Sequence, residues 1–205
     1  MTKEESRQKI LQAAFAAFAE TGYSQTSMDD IVKRSGLSKG TLYWHFKNKQ
    51  ELFLATVGMV MNEWDTQLAQ LAEAGGSADE RIRTFFAQAG AVFTENKNFI
   101  GLMVDAFFQS YQMEEAGQIM NTIYTRFIGH IERIVQQGID NGEFREVDPH
   151  MAAVSLMAGG DGVSMYILFE PDWDVGHALN TMIDLILRGL RKEEAPQPAA
   201  PEQEN

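Results

Sequence analysis

Between Ser27 and Phe46 the chain writes two short helices around one glycine, and that pattern limits what the rest can fold into. Ser27 stands where a helix N-cap belongs. Asp30, at the third helical position, reaches back to it as in a capping box. Ile31 and Val32 face inward, and Ser35-Gly36 stops the helix. Leu37 plugs the turn, and Ser38 caps a very short helix ending near Phe46. Two helices joined by a three- or four-residue turn containing glycine are a helix-turn-helix pattern. Leu42 and Phe46, four residues apart, share the buried face of the second helix. Lys39, Thr41, Tyr43 and His45 cannot be fully buried by that same face, because a helix on a surface buries only one stripe.

Helical period continues through the chain and strand signals are almost absent, which predicts an all-α, nine-helix architecture. A first helix is expected over about Glu5–Glu20, with Gly22 at a left-handed cap position. Asn48, answered by Glu51, opens a long fourth helix that runs to Gly75-Gly76. Further helices are expected over about 77–94, 98–112 and 115–140. Asp148-Pro149 caps an eighth helix reaching Phe169, Pro171 breaks it, and a ninth spans Trp173–Leu190. From Lys192 the composition turns to Pro, Ala and Glu, which predicts a disordered tail over 192–205. Two domains follow from this organisation: residues 1–50 around the short-turn helices and residues 51–191 as a larger helical body.

A net charge of -12 over 205 residues argues against a polyanionic partner until its distribution is considered. Residues 1–52 hold eight Lys and Arg against six Asp and Glu, whereas the remainder holds nine against twenty-three. Five basic residues and no acids lie between Lys33 and Lys49. A local patch of this kind attracts phosphate even on an acidic molecule. The absence of cysteine excludes disulfides, thiolate metal sites and a cysteine nucleophile. The polar start MTKEESRQKI is not a signal peptide. No run of about 18 apolar residues is evident, so no membrane-spanning helix is expected; the expected compartment is the cytoplasm. His45, His130, His150 and His177 lie far apart, and no glycine-rich phosphate loop follows a strand. No catalytic residue, metal or cofactor is expected.

The segments "ILQAAFAAFAETGYSQTSM" and "DIVKRSGLSKGTLYWHFKNKQELF" resemble the tetracycline-repressor (TetR) family of bacterial transcription regulators. The resemblance covers about residues 6–60. It implies that the third helix enters the major groove of double-stranded operator DNA, with base-edge contact from Lys39, Gly40 and Thr41 behind the Ser38 cap. Tyr43 and His45 would touch backbone or base edge. Lys49 and the free amides opening helix four offer a phosphate site, as Thr26 and Ser27 do at helix two. Trp44 is expected to pack inward. Asp29 and Asp30 are a departure, because relatives often carry a basic residue at one of these places.

The same resemblance implies that the larger body senses a small molecule and forms a homodimer through helices eight and nine. Gly159, Gly160 and Gly162 on helix eight would permit close helix approach. Trp64, Phe86, Phe93, Phe108, Tyr111, Tyr124 and Phe127 are candidates for an adaptable apolar pocket. Asp105 is the lone acid in "FIGLMVDAFFQSY". It faces either the pocket, where it would favour a hydrophobic cation, or the surface, or an arginine such as Arg126 or Arg133. The expected function is a ligand-responsive repressor released by a small hydrophobic or cationic molecule. The alternatives are a regulator controlled by a protein partner or lacking an inducer, and an all-α enzyme using a pocket carboxylate such as Asp105.

Overall fold

A computed structural model describes residues 1–95, 97–170 and 172–192. The expected tail, from residue 193 onward, and the break at Pro171 lie outside the described residues. Among those described there are nine α-helices and no strand, only an isolated bridge between Phe144 and Arg191. The helices are α1 Lys3–Gln25, α2 Met28–Ser35, α3 Lys39–His45, α4 Lys49–Glu73, α5 Ala78–Glu95, α6 Lys97–Gln112, α7 Glu114–Asp140, α8 Pro149–Met165 and α9 Val175–Leu190. A 3₁₀ turn, Tyr166–Leu168, extends α8.

Local chemistry sets most of these ends. Thr2 and Glu5 form a capping box that starts α1 two residues earlier than its apolar stripe suggests. Ser27 with Asp30 opens α2, and Gly36 closes it in the left-handed conformation (φ 65°, ψ 17°). Ser38 caps α3, Asn48 caps α4, and Asp148 caps α8 with Pro149 in the first turn. Gly22 differs from expectation. Its φ of 78° is positive, but its ψ of 163° is extended, so it breaks α1 without capping it. Helix then resumes for one turn to Gln25.

That break carries Tyr23 into the core, where its ring lies 4.7 Å from that of Phe53 and 6.0 Å from that of Phe18. Phe18 and Phe53 meet edge to face at 5.1 Å. Pairs of this kind add about 0.5–1.5 kcal/mol beyond their area. The buried side chains run continuously from Ile10 to Leu190, and α4 links the two parts by packing on α1 and on α7. In the larger body α5 lies along α9 so closely that a Cβ on Gly90 would stand 3.1 Å from the Cα of Gly176. Helix α8 is covered on one side by α7 and on another by α9.

The segment Pro149–Leu168 has a mean hydropathy of 1.3, long and apolar enough by length and composition to cross a membrane. That corrects the expectation that the chain holds no such stretch. Helices α8 and α9 also have partners within the protomer. Gly160 faces inward, with a Cβ there meeting Phe86 at 2.7 Å, whereas Gly162 has nothing within 4 Å.

Candidate nucleic-acid interface and cavity

Helix α3 sits on the protein by two side chains, Leu42 and Phe46, both buried. Its outward side is formed by Lys39, Gly40, Tyr43 and Trp44, with Thr41 half-buried. The Ser38 hydroxyl accepts the Thr41 amide at 3.1 Å and lies 2.8 Å from the Thr41 hydroxyl, which fixes both side chains at the helix start. Nothing crowds Gly40 but the Ser38 hydroxyl, 3.7 Å from a Cβ placed there. Lys39 is exposed yet engaged. Its ammonium lies 2.7 Å from the Asp29 carboxylate and 5.9 Å from the centre of the Tyr43 ring. The bond to Asp29 raises the Lys39 pKa. The acidic departure therefore places a carboxylate directly against the lysine that opens α3.

Several expected contacts fall elsewhere. Thr26 is buried, its hydroxyl bonded to the Gly22 carbonyl at 2.8 Å and to Thr21 at 2.8 Å, so it cannot reach a phosphate. Ser27 is exposed, but the Asp30 carboxylate accepts its hydroxyl at 2.5 Å and its amide at 3.0 Å. A phosphate at the start of α2 would meet that carboxylate. These same hydrogen bonds from Ser27 lower the Asp30 pKa. His45 turns toward α1, with Nε2 2.7 Å from the Ser6 hydroxyl. Desolvation, with Lys3 and Arg7 nearby, lowers its pKa. The Lys49 ammonium donates to the carbonyls of Tyr23 at 2.8 Å and Ser24 at 3.2 Å. It closes the end of α1 instead of presenting a free charge. Trp44, expected to pack inward, is 63% exposed, with the Lys3 ammonium 4.9 Å from its ring centre.

A cavity of about 150 Å³ lies among α4 to α9. Trp64, Phe86, Phe93, Tyr124 and Phe127 line it, as do Phe85, Phe99, Phe107 and the methionines at 61, 103, 120, 157 and 165. Trp64 is the hub of the aromatic wall, edge-on to Phe85 at 6.0 Å and tilted against Phe93 and Phe99 at 6.3 and 6.2 Å. Phe108 and Tyr111 do not line it. Both stand exposed, as Phe107 at the rim of the cavity largely does, and Tyr111 lies one turn beyond it toward the end of α6.

Asp105 is not in the cavity, nor does it pair with the two arginines. Arg126 pairs with Asp65 at 3.2 Å, and Arg133 with Glu73. The Asp105 carboxylate instead accepts the backbone N–H of Tyr23 at 2.6 Å, just past the break at Gly22. The pocket acid proposed for an enzyme is thus committed to the backbone of α1. The acid that does line the cavity is Asp161 of α8, which accepts the Tyr124 hydroxyl at 2.9 Å. Burial raises the Asp161 pKa against the opposing effect of that bond, and burial first, then Asp161, raises the pKa of Tyr124. Asp161, which stands among the glycines of helix eight, is not among the site residues expected from the sequence. Its signal was an acid inside an otherwise apolar helix.

Residues 10–56 match the family model for bacterial regulatory proteins of the tetR family. Over 190 residues the chain is 27% identical to the HTH-type transcriptional regulator QacR of Staphylococcus aureus, covering 91% of this chain and 98% of that protein. It is also similar to the solved structure of SmeT, the repressor of the Stenotrophomonas maltophilia multidrug efflux pump SmeDEF. Identity there is 26%, coverage 95% of each chain and the TM-score 0.75. Against the complex of SmeT with triclosan the TM-score is 0.80 at 26% identity, covering 92% of this chain and 93% of the other.

Proposed function

The chain belongs to the tetR family of bacterial regulatory proteins, and from that premise we propose that it is a repressor, released from a palindromic operator by a small hydrophobic molecule. Residues 1–50 would be the DNA-binding unit and residues 51–191 the sensing and dimerising unit. One observation carries the ligand response. Helix α6 forms a wall of the cavity through Phe99, Ile100, Met103, Val104 and Phe107, and the same helix holds the backbone of α1 through Asp105. A ligand that shifts α6 therefore pulls on the helix against which α2 and α3 pack. Ligand and DNA then favour different conformers, and operator affinity falls by linkage. The triclosan complex of SmeT supports a small apolar ligand for a cavity of this kind.

The homodimer rests on α8 and α9. Only 28% of the apolar stretch Pro149–Leu168 is buried within the protomer. Met151, Tyr166 and Leu168 along it, with Leu185 of α9, are exposed. A second copy covering this face would set two α3 helices about 34–36 Å apart, the spacing of successive major grooves. Lys39, Gly40, Thr41 and Tyr43 would then read base edges and backbone, in the cytoplasm where the operator lies.

The test is selection of a binding site from random DNA, followed by fluorescence polarisation. A palindromic site is expected, with log affinity falling linearly with log salt. Lys39→Ala should change preference among operator variants, by about 1–3 kcal/mol at the base it contacts. Uniform weakening across all variants would move Lys39 from base to phosphate contact. Recovery of no preferred sequence would refute the repressor assignment.

A further inference from the structure

Two polar demands on one wall of the cavity are unmet by the protein. The first is the charge of Asp161. Tyr124 is its hydrogen-bond partner, and no Lys, Arg or His pairs with it among the described residues. A carboxylate taken from water without a cation is costly to keep ionised. The second is Ser164, one turn further along α8. It is 8% exposed, and its hydroxyl has no hydrogen-bond partner among the described residues, although a helical serine ordinarily bonds a carbonyl one turn back. Residues three apart share a helix face, and both Asp161 and Ser164 line the cavity. The walls from α4, α5, α6 and α9 are apolar, with Trp64 and Phe85 edge to face.

These features select among ligand chemistries. An anion would be repelled by Asp161. A hydrocarbon would leave both polar groups unmet. A protonated amine has donors for the carboxylate and for the Ser164 oxygen, and its charge is also attracted to aromatic faces. The cavity volume of about 150 Å³ bounds the rest of the molecule, since an apolar cavity of about that size holds benzene. We propose that Asp161 and Ser164 form an amine-recognition subsite, so that the effector is a small protonated amine carrying a single aromatic ring or an equivalent apolar body. The ammonium donates to the Asp161 carboxylate and to Ser164 Oγ, and the ring packs against Trp64 and Phe85. This deepens the effector role given to the cavity above and rests on it.

The subsite also implies a pH dependence. Burial keeps the Asp161 carboxyl protonated to higher pH than usual, so amine affinity rises as pH rises through that raised value. Tyr124 of α7 is the titratable group facing Asp161, and the lining from α4, α5, α6 and α9 carries none.

The experiment is calorimetric titration of the full chain with phenethylamine, phenylethanol and phenylacetate, which share a ring and differ in the end group. The wild type should prefer the amine to the alcohol by about tenfold or more, the scale of a hydrogen bond to a charged group, and should bind the acid most weakly. Asp161→Asn should abolish that preference, weakening the amine far more than the alcohol. Ser164→Ala should weaken the amine without reversing the order, and it decides the matter alone if Asp161→Asn does not fold. Equal binding of amine and alcohol by the wild type, or an amine affinity untouched in both variants, overturns the subsite and leaves the cavity as the effector site. Failure of all three probes to bind overturns the effector role of the cavity and this proposal with it.

Discussion

Asp105→Ala should uncouple the two ends of the protein without unfolding either. The bond from the Tyr23 amide to the Asp105 carboxylate is 2.6 Å long, and a hydrogen bond to a charged group contributes about 1.5–3 kcal/mol. Allosteric coupling free energies fall in the same range, about 1–3 kcal/mol or 5–150-fold in affinity. One bond of this strength therefore suffices to carry the whole response. It is also geometrically sensitive, because a helix shift of about 1–2 Å stretches it beyond any useful length. Asp105→Asn keeps the shape and a carbonyl acceptor but loses the charge, which roughly halves the bond. Halving a coupling energy takes the square root of the coupling factor, so a hundredfold release would become about tenfold.

The assay is the ratio of operator dissociation constants with and without saturating phenethylamine, measured by fluorescence polarisation. The expected order is wild type, then Asp105→Asn, then Asp105→Ala with a ratio near one. Linkage supplies a second readout: operator DNA should weaken amine binding in the wild type and should not do so in Asp105→Ala. An unchanged ratio in Asp105→Ala would refute transmission through this bond. Coupling would then run through the side-chain packing of α1 on α6 and α4.

Four further outcomes are expected. Gly138→Ala puts a Cβ 2.5 Å from the Phe144 ring and 2.8 Å from the Ala78 Cβ; overpacking of this kind costs about 1–3 kcal/mol, read as a lower urea midpoint. Asp29→Ala frees the Lys39 ammonium, so operator affinity should rise, most for operators that carry the base Lys39 contacts. Gly162→Leu should give folded monomers in sedimentation, because its surroundings are open, whereas Gly160→Leu should lose stability through its clash with Phe86. Asp161→Asn should stabilise the protein in thermal melts at neutral pH. A raised folded pKa means that the native state binds the extra proton, so wild-type stability falls as pH rises from the ordinary carboxylate range through the raised value. The gain in the variant should accordingly vanish in acid, below both values.

What could be read from the sequence was whatever local chemistry dictates. The capping box at Ser27, the cap at Asn48, the turn at Gly36 and the proline opening α8 specify helix ends through bonds spanning only a few residues, and the structure has them. Lys39 and Tyr43 face outward as burial of Leu42 and Phe46 requires, but Trp44, expected inward, is exposed as well. Errors came where a side chain's partner is distant in sequence. Lys49 was assigned to phosphate because its positive charge was visible, but the carbonyls that satisfy it belong to Tyr23 and Ser24. The family resemblance implies a DNA contact for His45, but its partner in the structure is Ser6, 39 residues away.

The two acids on apolar helices make the same point with a functional consequence. Asp105 and Asp161 satisfy one sequence rule, that a carboxylate among residues preferring burial needs a reason. The reasons are opposite. Asp105 meets a backbone N–H that the break at Gly22 has released from helical bonding, so it is fully occupied and has become a mechanical link between α6 and α1. Asp161 meets only a phenol, with an unpartnered hydroxyl one turn away, so it retains capacity for a ligand. Tyr23, whose amide Asp105 holds, packs its ring on Phe53 of α4 just past the break at Gly22. Phe53→Ala, by loosening Tyr23, should weaken release of the operator while leaving the amine subsite intact.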